Sequence, residues 1–278
     1  MEFKKSVKRA LGQAFQIAGL DRHTIDSTLS IVAFHRIDDD LAADSLTCTS
    51  AQFESFCRHF RDHFAVVPLA QQVAACHSGR PMGGTLSITF DDGYLDNYTV
   101  AAPILERLGL TATFFVVSEF IGSTTIAPWD RHMPNHPGWM NWTHVRNLVQ
   151  RGFDIGGHTA THLDMGQASS ATIANELTSS KAKIEHELNR EIELFAYPFG
   201  GPEHITETAR ELVRDAGFRC CVSCHFGINP SVADPFRLHR LPISTWYADP
   251  LQMTAELVIS EARTNVDALR IATRYPLE

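Results

Sequence analysis

Residues 85–94 read TLSITFDDGY. Its first six residues, Thr85–Phe90, are largely apolar with β-branched side chains among them, which is the pattern of a short buried strand. Two adjacent carboxylates, Asp91 and Asp92, follow the strand directly. Like charges side by side are costly unless a positive group lies next to them. The stretch therefore predicts a buried strand that delivers a charged pair to its carboxyl edge.

Strand-like runs alternate with helical runs on both sides of this stretch. The predicted strands are residues 29–34, 66–69, 85–90, 112–117, 153–158, 194–197, 218–222 and 236–242. The predicted helices are residues 50–63, 71–77, 98–108, 143–151, 171–189, 205–216 and 250–264. This alternation favours parallel strands with helical crossovers. We therefore predict an α/β fold, a distorted or incomplete (β/α)7-type barrel, with a long loop at residues 118–141.

The chain divides into an N-terminal amphipathic helix, residues 1–22, and a single barrel domain, residues 23–278. Phe3, Val7, Leu11, Ala14 and Ala18 share one face of that helix, and its other faces carry lysine and arginine. The helix either packs on the domain or makes a peripheral membrane contact. The sequence shows no signal peptide and no run long enough to span a membrane. We expect a cytoplasmic protein, with the inner face of the membrane as the alternative.

Composition narrows the partners and the cysteine chemistry. The net charge of −8 over 278 residues argues against nucleic acid, whose partners usually carry a basic face. Six scattered cysteines do not form a disulfide framework. Cys220, Cys221 and Cys224 include a CxxC, but the second pair of a structural zinc site is missing. We expect buried thiols here, and a redox or metal role stays open.

Two further segments lie at the ends of predicted strands, where barrel active sites are built. Residues 156–162 read GGHTATH, and we expect His158 and His162, four residues apart on one helical turn, to face the same ion. Residues 195–200 read FAYPFG, a strand followed by a rigid turn at Pro198. Each segment alone is a weak signal.

Together and in this order, the three segments resemble the motifs of the polysaccharide deacetylase family (carbohydrate esterase family 4, the NodB homology domain). The resemblance covers roughly residues 85–217. It implies that Asp92, His158 and His162 bind a metal and that Asp91 is the general base. It also implies that the turn at Tyr197, Pro198 and Phe199 lines the site and offers a backbone N–H to the oxyanion.

The sequence departs from the family pattern at two places. Ala196 stands where the family often has an arginine that orients the base, and Arg240 is our candidate to replace it. The family's late histidine motif is poorly matched by Leu238 and His239. However, residues 33–36 read AFHR and look like the YHR-type motif of the exopolysaccharide-processing, circularly permuted branch. This makes His35 the general-acid candidate, with His239 as its competitor.

The implied function is removal of an N-acetyl group from an amino sugar in a polysaccharide, oligosaccharide or lipid-linked glycan precursor. The implied cofactor is one divalent metal, zinc foremost, with cobalt, nickel and iron as alternatives. Trp139, in the long loop, is a candidate to stack on a sugar ring. Two alternatives stay open: an O-acetyl esterase or deformylase with the same site, and a non-catalytic carbohydrate-binding relative. An ordinary barrel isomerase or aldolase would need more acidic ligands and a lysine at a strand end, which we do not find.

Overall fold

The computed structural model describes residues 2–42, 44–133, 135–224, 227–244 and 249–274. The helices within these ranges are α1 (Glu2–Ile17), α2 (Leu20–Ser27), α3 (Ser50–His63), α4 (Leu69–His77), α5 (Ala102–Leu108), α6 (Trp142–Gln150), α7 (Ser170–Leu188), α8 (Glu207–Asp215) and α9 (Pro250–Arg274). The strands are β1 (Thr28–Phe34), β2 (Arg36–Ile37), β3 (Thr47–Cys48), β4 (Ala65–Val66), β5 (Thr85–Phe90), β6 (Thr113–Val116), β7 (Asp154–Gly157), β8 (Asn229–Pro230) and β9 (Leu241–Pro242). Short 3₁₀ or π-helical turns lie at Asn97–Ala101, Pro128–Asp130 and Pro202–His204.

Four parallel strands form the continuous side of the barrel, in the order β7, β6, β5, β1. Phe34 of β1 pairs with Phe90 of β5, and Phe90 pairs with Phe114 of β6. The three rings stack in a row, with centroid separations of 5.5 Å and 4.9 Å. This apolar register is well specified because a slip by one residue would turn every side chain to the opposite face. It brings the residues that follow β1 and β5 to the same edge of the sheet.

The other side of the barrel closes through single bridges instead of long strands. Phe195 bridges Gly157 of β7, Ala196 bridges Val222, and Val222 bridges Leu238. The segment that follows, β9, then pairs in parallel with β1. The ring of seven parallel segments is therefore complete, and the predicted distorted barrel of the (β/α)7 type is confirmed. The predicted strands at 194–197, 218–222 and 236–242 are shorter than expected. The first is two bridged residues, the second is a single bridged residue, and the third is one bridged residue followed by β9.

Helix α1 lies against the C-terminal helix, α9, and against α2. A side chain at Gly12 would approach the carbonyl oxygen of Leu251 to 1.9 Å, so the glycine permits a close helix contact. Lys8 pairs with Glu256 across this contact. The face that the sequence marks as apolar points outward, and Val7 is 41% exposed. No helix in the described ranges is both long and apolar enough to cross a membrane.

Candidate active site

Four titratable side chains meet at the carboxyl ends of the strands. His35 follows β1, Asp91 and Asp92 follow β5, and His158 follows β7. Both aspartates and His158 are buried, with about 1% of their surface exposed. Buried charges persist in proteins when they are paired or bind a metal, so the partners of each carboxylate show what the site can do.

Asp92 faces the two predicted histidine ligands. Its Oδ1 atom lies 3.4 Å from Nε2 of His158 and 3.4 Å from Nε2 of His162. The three potential ligand atoms lie within 4.8 Å of one another. Two histidines and one carboxylate with space in front of them match the donor set of a catalytic metal site.

A backbone carbonyl orients the first histidine. Nδ1 of His158 lies 2.8 Å from the carbonyl oxygen of Ala196 and donates to it when protonated. That tautomer leaves Nε2 unprotonated and directed at Asp92. Metal-binding histidines commonly have such a partner on the second nitrogen.

The expectation that His158 and His162 lie on one helical turn is wrong. The segment between them is an irregular loop, and Thr159 and His162 have positive φ angles of 61° and 62°. Glu176 of α7 stabilises this loop, because its carboxylate accepts hydrogen bonds from the backbone N–H groups of Ala160 and Thr161, both at 2.9 Å. The two imidazoles therefore converge through a turn held by a helix.

Two atoms at this centre lack hydrogen bonds within the described part of the chain: Oδ1 of Asp92 and Nδ1 of His162, both buried. Burial lowers the pKa of His162 to about 4. Burial also acts to raise the pKa of Asp92, but the neighbouring histidines hold it well below its ordinary value. The centre is thus a buried carboxylate beside a neutral imidazole, and Nε2 of that imidazole faces the carboxylate.

The second carboxylate has a different partner. Arg240 donates from Nη1 to Oδ1 of Asp91 and from Nη2 to Oδ2, each at 2.7 Å. Arg240 also donates from Nε to the carbonyl oxygen of Ser223 at 2.7 Å, which fixes the guanidinium. Burial would raise the pKa of Asp91, but Arg240 outweighs it and lowers that pKa. A bidentate guanidinium therefore keeps Asp91 ionised although it is buried.

His35 lies next to Asp91 in the same site. Its Nε2 atom is 3.8 Å from Oδ2 of Asp91, which is longer than a hydrogen bond. Asn97 donates to the carbonyl oxygen of His35 at 2.6 Å and fixes the backbone there. Burial lowers the pKa of His35, against the opposing effects of Asp92 and Asp91. His239, its competitor, lies away from this centre and lines a separate cavity of about 260 Å³.

The centre opens into a cavity of about 420 Å³. The side chains that line it are His35, Ser45, Leu46, Asp91, Asp92, Trp129, His158, His162, Tyr197, Phe199, His204, Cys224, Pro242 and Ser244. Arg240 lies behind Asp91, and Pro198 is not among the lining residues. The cavity therefore brings titratable side chains and aromatic rings together.

The loop tryptophan that lines the cavity is Trp129 rather than Trp139. The Trp139 ring lies between Tyr94 and Phe120, at 4.6 Å from each, so it packs inside the loop. Trp129 lies 4.4 Å from the ring of His162. Its indole N–H donates to the hydroxyl of Tyr94 at 2.7 Å.

The turn after Phe195 supplies the opposite rim. Phe199 has a φ of 61°, a conformation rare for a bulky residue, and half of its surface is exposed. Its ring lies 4.7 Å from His162. The N–H of Tyr197 already donates to the carbonyl of Val222 at 3.1 Å. Proline has no N–H, so Phe199 has the remaining one of this three-residue turn.

The chain is similar in sequence to known proteins over more than half of its length. The sequence model of the polysaccharide deacetylase family matches residues 78–221, just over half of the chain. The chain belongs to the polysaccharide deacetylase family. YxkH of Bacillus subtilis (strain 168), a protein named after the same family, is 25% identical over 218 residues, 78% of this chain and 71% of YxkH.

Several solved deacetylase-family structures have the same fold as this chain. Deacetylase PplD of Streptococcus pyogenes, in complex with acetate, has a TM-score of 0.68 at 20% identity, covering 81% of this chain and 96% of PplD. IcaB from Ammonifex degensii has a TM-score of 0.67 at 20% identity, covering 84% and 97%. The family resemblance predicted from the sequence is confirmed, and the chain is assigned to hydrolytic deacetylases that act on polysaccharide.

Among the residues of the candidate site that the sequence does not single out are Trp129, Glu176 and Cys224. Glu176 lies on a polar helix face and carries no signal of its own. Cys224 was grouped with its neighbours as a buried thiol, whereas it lines the cavity. Trp129 and Trp139 lie in one aperiodic loop, and only the folded loop distinguishes them.

Proposed function

We propose that the protein hydrolyses the N-acetyl group of an N-acetylated amino sugar in a polysaccharide, oligosaccharide or lipid-linked glycan precursor. The observation that supports the proposal is that two adjacent carboxylates contact different side chains. Asp92 faces two histidines, whereas Asp91 is bound by Arg240 and faces His35. One carboxylate is suited to hold a metal, and the other is left as a base.

The residues present fit one divalent metal. Oδ1 of Asp92 is buried without a hydrogen bond in the described ranges, and Nε2 of His158 and of His162 point toward it. These three side chains would hold the ion. Two histidines and a carboxylate suit zinc, and cobalt, nickel and iron also fit. When bound, the ion supplies Lewis-acid polarisation of the acyl carbonyl and acidifies a water molecule.

Asp91 is the proposed general base. Arg240 keeps it ionised, and its bidentate contact fixes the plane of the carboxylate. Asp91 would accept the proton of the attacking water. Positioned acid–base groups of this kind typically contribute about 10²–10⁴-fold to the rate.

His35 is the proposed general acid. It lies beside Asp91 in the cavity, and its protonated form, the imidazolium, would donate a proton to the leaving nitrogen. Because burial lowers its pKa, the imidazolium is a stronger acid than a free histidine. The N–H of Phe199 is the proposed donor to the oxyanion, since Tyr197 and Pro198 have no N–H to spare.

Two features favour an N-acyl substrate and catalysis over the alternatives. An amide nitrogen leaves poorly as an anion, whereas an ester oxygen leaves more easily. A general acid such as His35 therefore accelerates amide hydrolysis more than ester hydrolysis. Ala196, in place of the arginine that often orients the base in this family, is the feature that favours a non-catalytic binder. Arg240 offers the same guanidinium to Asp91 from another segment, which removes the reason for that alternative.

The test is metal content and acetate release measured on the same samples. We expect about one metal per chain in the wild type, with acetate released from an N-acetylglucosamine oligomer. His158→Ala should lose both, Asp91→Asn should keep the metal and lose turnover, and the exposed His186→Ala should retain both. Release from an O-acetylated oligosaccharide but not from the N-acetylated one would favour the esterase. Wild-type turnover in Asp91→Asn would contradict the assigned base.

We also propose that α1 makes a peripheral membrane contact on the cytoplasmic side. Val7 and Leu11 are 41% and 38% exposed on its outer face. Lys8 and Arg9 pair with Glu256 and Asp249, so the contact would be mainly apolar. Co-sedimentation with phosphatidylcholine vesicles should be lost in Val7→Asp/Leu11→Asp. Equal binding of that variant and the wild type would reject the contact.

A further inference from the structure

A second group of metal-binding atoms lies in the same cavity, beside the proposed catalytic centre. His35, Asp91 and Cys224 each offer one ligand atom, and these atoms lie within 4.8 Å of one another. All three line the cavity. None of them belongs to the group of Asp92, His158 and His162. The cavity floor thus carries two adjacent donor sets that share no residue.

Backbone packing fixes the position of Cys224. Its N–H donates to the carbonyl oxygen of Gly200 at 3.0 Å. A side chain at Gly200 would approach Cβ of Cys224 to 2.4 Å, so only glycine permits this contact. The rigid turn that carries Phe199 therefore also positions the thiol.

The chemistry of these three donors suits a thiophilic divalent cation. Imidazole nitrogen, carboxylate oxygen and thiolate sulfur are all zinc ligands, at about 2.0–2.3 Å from the ion. Ligands at those distances lie closer together than 4.8 Å, by about 1–1.5 Å, so the side chains would move inward on binding. His35 and Asp91 are 3.8 Å apart at their nearest atoms, which leaves no hydrogen bond between them to break.

We propose that His35, Asp91 and Cys224 form a second, inhibitory site for Zn²⁺ or a similarly thiophilic divalent cation. Binding forms a metal–sulfur bond, and the thiol proton is released to solvent. Arg240 already occupies one direction at each oxygen of Asp91, so this site binds more weakly than the first and fills after it. The inhibition rests on the proposed function, because the second ion occupies both the base and the acid. The binding itself does not depend on that function.

The test is a Co²⁺ titration of the protein by absorption spectroscopy, because a thiolate bound to cobalt gives a charge-transfer band that histidine and carboxylate do not. In the wild type, the first equivalent should bind without this band, and the band should grow with the second. Cys224→Ser and Cys224→Ala should bind one equivalent without the band. Cys76→Ala, which removes a thiol outside the cavity, should behave as the wild type. His158→Ala should lose the first phase and keep the band.

The same samples are then assayed for acetate release with increasing zinc. Excess zinc should lower the wild-type rate about 10²-fold or more, the smallest contribution expected of the acid–base pair. For Cys224→Ala, the rate of acetate release with excess zinc should equal the rate of the same variant with one equivalent of zinc. A wild-type titration without the thiolate band, or a band that survives in Cys224→Ser, overturns the second site. Failure of every sample to release acetate would count against the proposed function, while the band would still decide the metal site.

Discussion

Replacing Arg240 by methionine would leave Asp91 buried without its counter-charge. Arg240 makes two hydrogen bonds of 2.7 Å to this carboxylate. At about 1.5–3 kcal/mol for each hydrogen bond to a charged group, the pair contributes about 3–6 kcal/mol. This agrees with the loss of about 3–5 kcal/mol expected when one partner of a buried ion pair is removed. Protonation of Asp91 relieves that cost, and about 3 kcal/mol corresponds to a rise of about 2 units in its pKa.

The direction of the effect on activity follows from the proposed role of Asp91 as the general base. A base works only when it is ionised, so activity is lost as the pH falls through its pKa. Arg240 lowers that pKa in the wild type. In Arg240→Met, the acid limb of the pH profile of kcat/KM should therefore move to higher pH by about 2 units. Arg240→Lys keeps the charge but loses the bidentate geometry, so its acid limb should move less.

The assay is the pH dependence of acetate release at saturating metal, with metal content measured on each sample. Arg240 also bonds to the carbonyl of Ser223, so thermal unfolding of each variant should be recorded first. Arg237→Met, an exposed arginine of the same segment, is the matched control. A folded, metal-loaded Arg240→Met enzyme with a wild-type acid limb would refute the assignment of Asp91 as a base set by Arg240.

Three further predictions concern the surroundings of the site. Burial raises the pKa of Asp96 to about 7. Between about pH 4 and pH 7, the folded protein therefore holds a proton on Asp96 that the unfolded chain has lost. The contribution of Asp96 to the free energy of unfolding falls as the pH rises through this range. On going from pH 5 to pH 8, the free energy of unfolding of Asp96→Asn, measured by urea denaturation, should rise by about 2–3 kcal/mol relative to that of the wild type. A difference between the two proteins that does not change with pH would count against the buried acid. Glu176→Ala should weaken metal binding about 10–100-fold by calorimetry, whereas Glu187→Ala on the same helix should not; equal affinities would show that the loop holds without Glu176. Removing the metal by chelation should lower the free energy of unfolding by about 2.7 kcal/mol relative to a sample with metal at 100 times its Kd, and an unchanged Tm would contradict the metal site.

The sequence predicts the continuous side of the barrel well and the closing side poorly. Strands β1, β5 and β6 are apolar runs whose aromatic side chains stack in one register, so local pattern and global packing agree. The closing segments make single bridges at Ala196, Val222 and Leu238, each too short to have a period. Proline follows two of these segments and cannot donate to a ladder. These segments can be recognised as strands only from their pairing in the folded barrel.

The site is predictable as a set of residues but not as a geometry. The motifs identify Asp91, Asp92, His158 and His162, yet the histidines converge through positive φ angles that no periodicity indicates. Arg240 is predicted as the partner of Asp91 only because position 196, where the family often has an arginine, is an alanine here. Contacts made by distant segments, such as Glu176 with the histidine loop, depend on how α7 packs.

The two adjacent aspartates can have separate partners because the chain leaves the strand conformation between them. Asp91 still belongs to the strand edge, and its N–H donates to the carbonyl of Phe34. Asp92 has a φ of 74°, a left-handed conformation that aspartate tolerates better than most residues. Gly93 continues the turn with a φ of 91°, where a side chain would approach Ile121 to 2.8 Å. The turn directs one carboxylate to Arg240 and the other to the histidines. A regular strand would also separate the two side chains, but onto opposite faces of the sheet, so one of them would leave the cavity. The strained turn is therefore what places a proposed base and a proposed metal ligand from consecutive residues in one site.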